Sequence, residues 1–297
     1  MRHRLILAGL VAASLAVLAG CSASSAADDA KDGRISVVAS TNVYGSIAET
    51  IGGDAVQVTS LIASEAQDPH EFEASARDQL RVGEAAVVIE NGDGYDPFMS
   101  GLVKASHTKA QVVTAVDLAK VYTAGGNEHV FYDPATMAAL ADDLAARFAK
   151  LDPKNAATFT ANAAAFDKGI GAIEASLAQI KSAHAGAGVF VTEPLPLYLT
   201  DAAGLRNLTP PEFSEAVEEG QDVAPSILLQ ALKIVSDRDA QVVITNAQAG
   251  GPETNRVAQA AKDASTPVLA FSELVPPGKT YLDWMQGNAT ALADALK

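Results

Sequence analysis

The sequence predicts an α/β fold in which two doubly wound lobes are joined by one long rigid helix. Short β-branched runs alternate with helical stretches in residues 35–115, and the same alternation returns from residue 189 onwards, after a single long helical stretch. Strands that alternate with helices favour a mostly parallel sheet covered on both faces. Ligands of such sheets bind beyond the carboxyl ends of the strands, so a binding site is expected in the crevice between the lobes.

The first lobe is predicted to cover residues 35–152. Its first strand is a continuous apolar and β-branched run, and the helix after it ends at Gly52-Gly53. The loop after the second strand, which contains His70, is where a ligand of this sheet is expected. The predicted elements are strand 35–41, helix 43–51, strand 56–62, helix 74–83, strand 85–90, helix 99–106, strand 112–115 and helix 135–150.

Residues 153–184 are predicted to form the linker helix, and residues 185–297 the second lobe. The linker stretch is rich in helix-forming residues and is weakened only by Gly169 and Gly171. At 1.5 Å per residue it would be about 40 Å long, enough to join two lobes. The second lobe is predicted to contain strand 189–192, helix 195–203, helix 226–237, strand 240–245, helix 254–264, strand 267–271 and helix 281–296.

The amino-terminal residues have the features of a secretion signal. Two arginines precede an apolar run that is too short for an ordinary membrane span, which predicts a signal peptide over residues 1–20. The small residues before Cys21, the only cysteine, resemble the bacterial lipobox, and residues 21–34 have the composition of a flexible tether. We therefore expect an exported monomer, lipid-anchored through Cys21 to the outer face of the cell membrane. An ordinary secretion signal that ends near a cysteine is the alternative.

The overall charge of the chain bears on its partners. The formal net charge is −15 at pH 7. Binding to nucleic acid needs clustered Lys and Arg, so this composition argues against a nucleic-acid partner. A negative surface is compatible with the attraction of cations, although net charge does not identify a particular ligand.

Two histidines occur in similar acidic phrases that contain proline. His70 lies in Asp68-Pro69-His70-Glu71 and His129 in Glu128-His129-Val130-Phe131-Tyr132-Asp133-Pro134. Glu193 and Glu273 end strands of the predicted second lobe, so all four side chains can converge on the crevice. Two neutral imidazoles and two carboxylates can form a complete site for Zn²⁺ or Mn²⁺. Loop histidines and strand-end glutamates are, however, commonly solvated surface residues, so spacing alone leaves the metal site open.

The combined order of these motifs resembles the zinc- and manganese-binding solute-binding lipoproteins of bacterial ABC metal importers, the cluster A-I metal-binding family. The resemblance implies that the metal ligands are the two histidines and two glutamates named above. It also implies delivery of the ion to an ABC permease with a cytoplasmic ATPase, and a binding protein rather than an enzyme. It covers about residues 35–297 and rests on the Asp-Pro-His phrase at His70, the turn at Asn91-Gly92, the His-Val-aromatic-x-Asp-Pro phrase at His129, Glu193 with Tyr198, and Glu273 with Thr280-Tyr281-Leu282.

Several positions depart from the pattern of that family. Glu128 stands where the family usually has proline, Phe131 where it often has tryptophan, and Glu273 where it has aspartate. The longer Glu273 could ligate through both oxygens, shift the metal, or not be a ligand. The histidine-rich loop of many zinc-specific relatives is absent, since residues 121–127 contain no histidine.

The identity of the metal follows from the donor set. Carboxylate-rich sites suit Mn²⁺ and nitrogen-rich sites suit Zn²⁺, so two His and two Glu favour Mn²⁺, with Zn²⁺ a close second. A metal-free adhesin or binding protein of the same fold is one alternative. A secreted metalloenzyme is a weaker one, because the sequence has no His-Glu-x-x-His motif and four protein ligands leave no open position for catalysis.

Overall fold

A computed structural model describes residues 33–297 except 65, 66, 68, 70 and 71. The predicted signal peptide, Cys21 and His70 therefore lie outside the described residues. Among the residues described, no helix is both long and apolar enough to cross a bilayer.

Two four-stranded parallel sheets form the framework. The first contains β1 (Ile35–Thr41), β2 (Val56–Ile62), β3 (Val87–Glu90) and β4 (Gln111–Thr114), in the order β2-β1-β3-β4. The second contains β5 (Gly188–Val191), β6 (Arg206–Asn207), β7 (Val242–Asn246) and β8 (Val268–Phe271), in the order β6-β5-β7-β8. The two sheets thus share one strand order, and every pairing is parallel. The predicted α/β class with two doubly wound lobes is confirmed.

The helices connect and cover these sheets. In the first half they are α1 (Asn42–Gly52), α2 (Ala76–Glu84), α3 (Pro97–Ser106) and α4 (Pro134–Leu151). The long helix α5 (Ala156–His184) lies between the two sheets in sequence, as predicted. In the second half they are α6 (Leu197–Ala202), α7 (Pro211–Glu218), α8 (Pro225–Ser236), α9 (Pro252–Asp263) and α10 (Tyr281–Ala295).

Two short elements between residues 204 and 225 were not predicted from the sequence. The strand β6 has only 2 residues, too few for a periodic pattern. The helix α7 has 8 residues, but Pro211 at its start and Glu212 in its first turn are ordinary helix-start signals. The start of α7 could therefore have been predicted from the sequence. This helix is important because its last residue, Glu218, lies in the site described below.

One hydrophobic core joins the two halves of the chain. It contains apolar residues of β1 and α1, of α4 and α5, and of β5 and α10. Trp284 of α10 is central to it: its ring lies 5.4 Å from that of Tyr132 and 6.5 Å from that of Phe131. The Tyr281 hydroxyl donates to the backbone oxygen of Phe131 at 2.9 Å. The core contains residues from both sides of residues 152 and 184, so it does not separate the chain there. The predicted lobe boundaries at these residues stay a prediction.

Candidate metal centre

The site lies where the carboxyl ends of both sheets meet the loop before α4. Three of the four side chains predicted as metal ligands are described, and all three are buried: His129 is 1% exposed, Glu193 4% and Glu273 1%. His70 lies outside the described residues, so its place in the site stays a prediction. As expected for ligands of parallel sheets, Glu193 lies beyond the carboxyl end of β5 and Glu273 beyond that of β8.

His129 is held by Asn127 at one edge of its ring. The His129 Nδ1 lies 2.7 Å from Asn127 Oδ1, and the backbone N–H of His129 donates to the same oxygen at 3.1 Å. The amide orientation is fixed because Asn127 Nδ2 donates to the backbone oxygen of Pro194 at 2.9 Å. The oxygen can only accept, so Nδ1 carries the proton and a neutral ring carries its lone pair on Nε2. The ring is therefore prepared to bind a metal through Nε2.

Asn127 also connects the two lobes. Its backbone oxygen accepts a hydrogen bond from the Tyr198 hydroxyl at 2.6 Å, while its side chain reaches Pro194. Pro194 directly follows Glu193, so the loop that carries the histidine is bonded to the loop that carries the first glutamate. The Asn91 amide supports the same histidine loop by donating to the backbone oxygen of Glu128 at 3.1 Å.

Replacing Asn127 by alanine is expected to weaken metal binding about 10- to 100-fold, the usual effect of losing a partner that orients a histidine ligand. The Asn127→Asp variant keeps the acceptor for Nδ1 and should bind more tightly than Asn127→Ala. Isothermal titration of the metal-free proteins measures both. Equal metal affinities for wild type and Asn127→Ala would show that the Asn127 amide does not orient the His129 ring for metal binding.

Glu193 and Glu273 share a single neutral donor. Asn246, the last residue of β7, donates through Nδ2 to Glu193 Oε2 and to Glu273 Oε1, each at 2.7 Å. Its Oδ1 accepts the backbone N–H of Gln248 at 3.0 Å, which fixes the orientation of the amide. Since β7 lies between β5 and β8, this residue sits between the two glutamates by topology. Two buried carboxylates are thereby brought together, an arrangement that a cation would stabilise.

Tyr95 connects the histidine to the second glutamate. Its hydroxyl donates to Glu273 Oε2 at 3.1 Å, and its ring lies edge-on to that of His129 with 5.7 Å between centroids. Burial, followed by the nearby Glu273, raises the pKa of the Tyr95 phenol well above its usual range, so it remains a proton donor. The three buried side chains are therefore connected across the lobes, the two glutamates by hydrogen bonds from Asn246 and Tyr95 and His129 by its ring contact with Tyr95.

A third acidic side chain, Glu218 at the end of α7, reaches the same region. Its Oε1 lies 3.9 Å from His129 Nδ1, and its side chain is 20% exposed. Ligand atoms of Glu128, His129 and Glu218 all lie within 4.8 Å of one another. Burial, with Glu128, Glu193, Glu273 and Glu219 adding in that order, raises the pKa of Glu218 to about 8. Glu218 was not predicted from the sequence, and Glu128 stood out there only as a departure from the family pattern.

The raised pKa of Glu218 makes a testable contribution to stability. In the unfolded chain this group titrates near 4.5, so the folded state binds more protons between pH 4.5 and about 8. Ionisation then destabilises the metal-free fold progressively as the pH rises through that window. Relative to wild type, Glu218→Gln should become more stable from pH 5 to pH 8.5 in chelator-treated protein, as measured by urea unfolding. The exposed Glu215 on the same helix supplies the control, Glu215→Gln, and a pH-independent difference for Glu218→Gln would contradict the expectation.

Known proteins resemble this chain over most of its length. The family model described as zinc-uptake complex component A periplasmic (ZnuA) matches residues 37–295. The iron ABC transporter substrate-binding lipoprotein MtsA of Streptococcus pyogenes serotype M1 is 26% identical over 307 residues, which cover 95% of each chain. The manganese-binding lipoprotein MntA of Bacillus subtilis (strain 168) is 32% identical over 165 residues, 52% of this chain and 53% of MntA.

Partial matches and solved structures extend the comparison. The manganese ABC transporter substrate-binding lipoprotein scaA of Streptococcus gordonii is 27% identical over 172 residues, 53% of this chain and 54% of scaA. The chain thus spans about half the length of scaA and of MntA. The crystal structure of ZnuA superposes with a TM-score of 0.74 at 21% identity, covering 89% of this chain and 100% of that one. The matched family and relatives are substrate-binding components of transporters, which confirms both the resemblance and the expectation of a binding protein rather than an enzyme.

Proposed function

We propose that this chain, which belongs to the family of zinc-uptake complex component A, captures a divalent transition metal and delivers it to an ABC permease driven by a cytoplasmic ATPase. The observation that carries the proposal is the convergence of His129, Glu193 and Glu273 in one buried site between the lobes. In the proposed site the ligands are His129 through Nε2, the two glutamates, and His70. An imidazole and two carboxylates held by neutral donors are suited to a dication.

Mn²⁺ is the favoured cargo and Zn²⁺ the close second. Carboxylate oxygens supply half of the proposed ligand set, which suits manganese, while intrinsic affinity at such sites generally favours zinc. The named relatives support a metal without identifying it, since MntA is named for manganese and MtsA for iron.

The proposed location is the outer face of the cell membrane, with Cys21 lipidated after removal of residues 1–20 and the chain a monomer. This rests on the sequence of the amino-terminal residues and on relatives that are named lipoproteins of ABC transporters. The tether of residues 21–34 would let the folded lobes reach the permease.

A metal-free adhesin of the same fold is disfavoured by the buried carboxylates. Glu193 and Glu273 share one amide donor and are almost entirely withdrawn from water. An ionised carboxylate is costly to bury unless it is paired, so a site kept only for protein adhesion has no reason to retain two such groups together.

A competition titration tests the function. Metal-free protein prepared with a chelator is titrated with Mn²⁺ and Zn²⁺ against an indicator chelator, and the metal content of protein purified from cells is measured in parallel. We expect one ion per chain, tight binding of both metals, and manganese in protein from cells grown with both. Protein that carries no metal from cells and shows no stoichiometric binding in vitro would refute it.

A further inference from the structure

Glu218 is the feature of the site that the proposed ligand set leaves unused. It lies at the carboxyl end of α7, in the second lobe, yet its carboxylate faces a histidine of the first lobe. The helix is placed by the chain that leaves β6 at the edge of the second sheet and turns at Pro210-Pro211. Phe213 on the opposite side of α7 packs edge-on against Phe190 of β5, with 5.4 Å between ring centroids, so the helix is anchored to its own lobe.

The position of Glu218 relative to the histidine ring limits what it can do. Its Oε1 is 3.9 Å from Nδ1, the nitrogen already hydrogen-bonded to Asn127 Oδ1 at 2.7 Å. The two nitrogens of an imidazole direct their bonds to opposite edges of the ring. Glu218 lies beside the nitrogen that stays uncoordinated when an ion binds Nε2, so its effect on that ion passes through the ring.

A carboxylate at this edge strengthens a histidine as a metal ligand. Metal-bound histidines commonly donate their other N–H to a carboxylate or carbonyl group, which fixes the ring and makes the coordinating nitrogen more basic. Here Asn127 supplies the neutral acceptor, and Glu218 places a carboxyl group close to the same N–H, whose ionised form a bound dication favours. An ion at Nε2 draws positive charge onto the ring, and a charge only a few ångströms away in a buried site stabilises it.

We propose that Glu218 is a positioning residue for His129, which increases the affinity of the site for a dication by facing the Nδ1–H edge of the ring from the second lobe. The inference rests on the proposed ligand role of His129. Glu218 and His129 belong to different lobes, so this contact is made across the crevice.

Isosteric substitution of Glu218 tests the inference. Glu218→Gln, Glu215→Gln and His129→Ala are titrated with Zn²⁺ after treatment with a chelator. Glu218→Gln is expected to bind about 10-fold more weakly than wild type, or weaker still, within the range typical for such partners of metal-bound histidines. Glu215→Gln, on the exposed face of the same helix, is expected to bind like wild type.

A spectroscopic measurement separates an effect through the ring from a general structural effect. In the zinc-loaded protein with ¹⁵N-labelled histidine, the Nδ1–H resonance of His129 is expected to shift between wild type and Glu218→Gln, while that of Glu215→Gln stays in place. Unchanged zinc affinity of Glu218→Gln would overturn the inference. So would weaker binding with an unmoved Nδ1–H resonance. Wild-type binding by His129→Ala would instead overturn the proposed ligand set itself.

Discussion

Replacing His129 by alanine is expected to lower the affinity for Mn²⁺ and Zn²⁺ by more than about 100-fold, because losing a ligand costs more than losing the residue that orients one. The ring is 1% exposed and contacts the ring of Tyr95, whose hydroxyl donates to Glu273. Glu193→Gln and Glu273→Gln are expected to weaken binding comparably, since each removes a negative charge and leaves a poorer ligand. Titration of chelator-treated proteins measures all three variants.

The control for this series is His107→Ala. His107 follows α3 in a left-handed conformation, with φ 51°, and is exposed, so its loss should leave metal affinity unchanged. The variant Glu273→Gln is informative beyond the series, because the sequence left open whether this longer side chain ligates the metal. Stoichiometric, wild-type binding by His129→Ala together with Glu193→Gln would contradict the proposed site.

Replacing Trp284 by alanine is expected to cost about 3–5 kcal/mol of unfolding free energy, as is usual when a buried large aromatic side chain is removed. Trp284 is 3% exposed and lies 5.4 Å from the ring of Tyr132 and 6.1 Å from that of Tyr281. Tyr132 lies in the loop that carries His129, and Tyr281 belongs to α10. The cavity would therefore weaken the packing between the lobes as well as the core. Urea unfolding measured by circular dichroism gives the free energy.

Leu229→Ala supplies the matched control for the tryptophan variant. Leu229 is also a large apolar residue on a helix, but it is 65% exposed, so its truncation should change stability by no more than about 0.5 kcal/mol. If Trp284→Ala were as stable as Leu229→Ala, the shared core would not be what joins the two lobes.

The parts of this fold that follow from local patterns were predictable from the sequence. Continuous β-branched runs identified seven of the strands, and apolar periodicity with glycine or proline punctuation identified the longer helices, including α5. The positions of Glu193 and Glu273 were predictable for a topological reason: parallel strands present their carboxyl ends at one edge, whatever the side chains are.

The partners of these ligands were not predictable in the same way. Asn246 donates to both glutamates because β7 lies between β5 and β8. The order of strands in a sheet cannot be predicted from a local sequence pattern. Tyr95 reaches Glu273 from the other half of the chain, a contact that depends on how the lobes pack. Glu218 lies on a short helix far from His129 in sequence, so only its three-dimensional placement reveals it.

The central claim is that one ion is held between the lobes by Nε2 of His129 and by carboxylate oxygens of Glu193 and Glu273. A crystal structure of the protein loaded with Mn²⁺, with anomalous diffraction recorded at the manganese edge, tests it most directly. One anomalous peak is expected, with Nε2 and the two carboxylates at bonding distance, roughly 2 Å. A peak located away from His129, or bonded to its Nδ1, would contradict it.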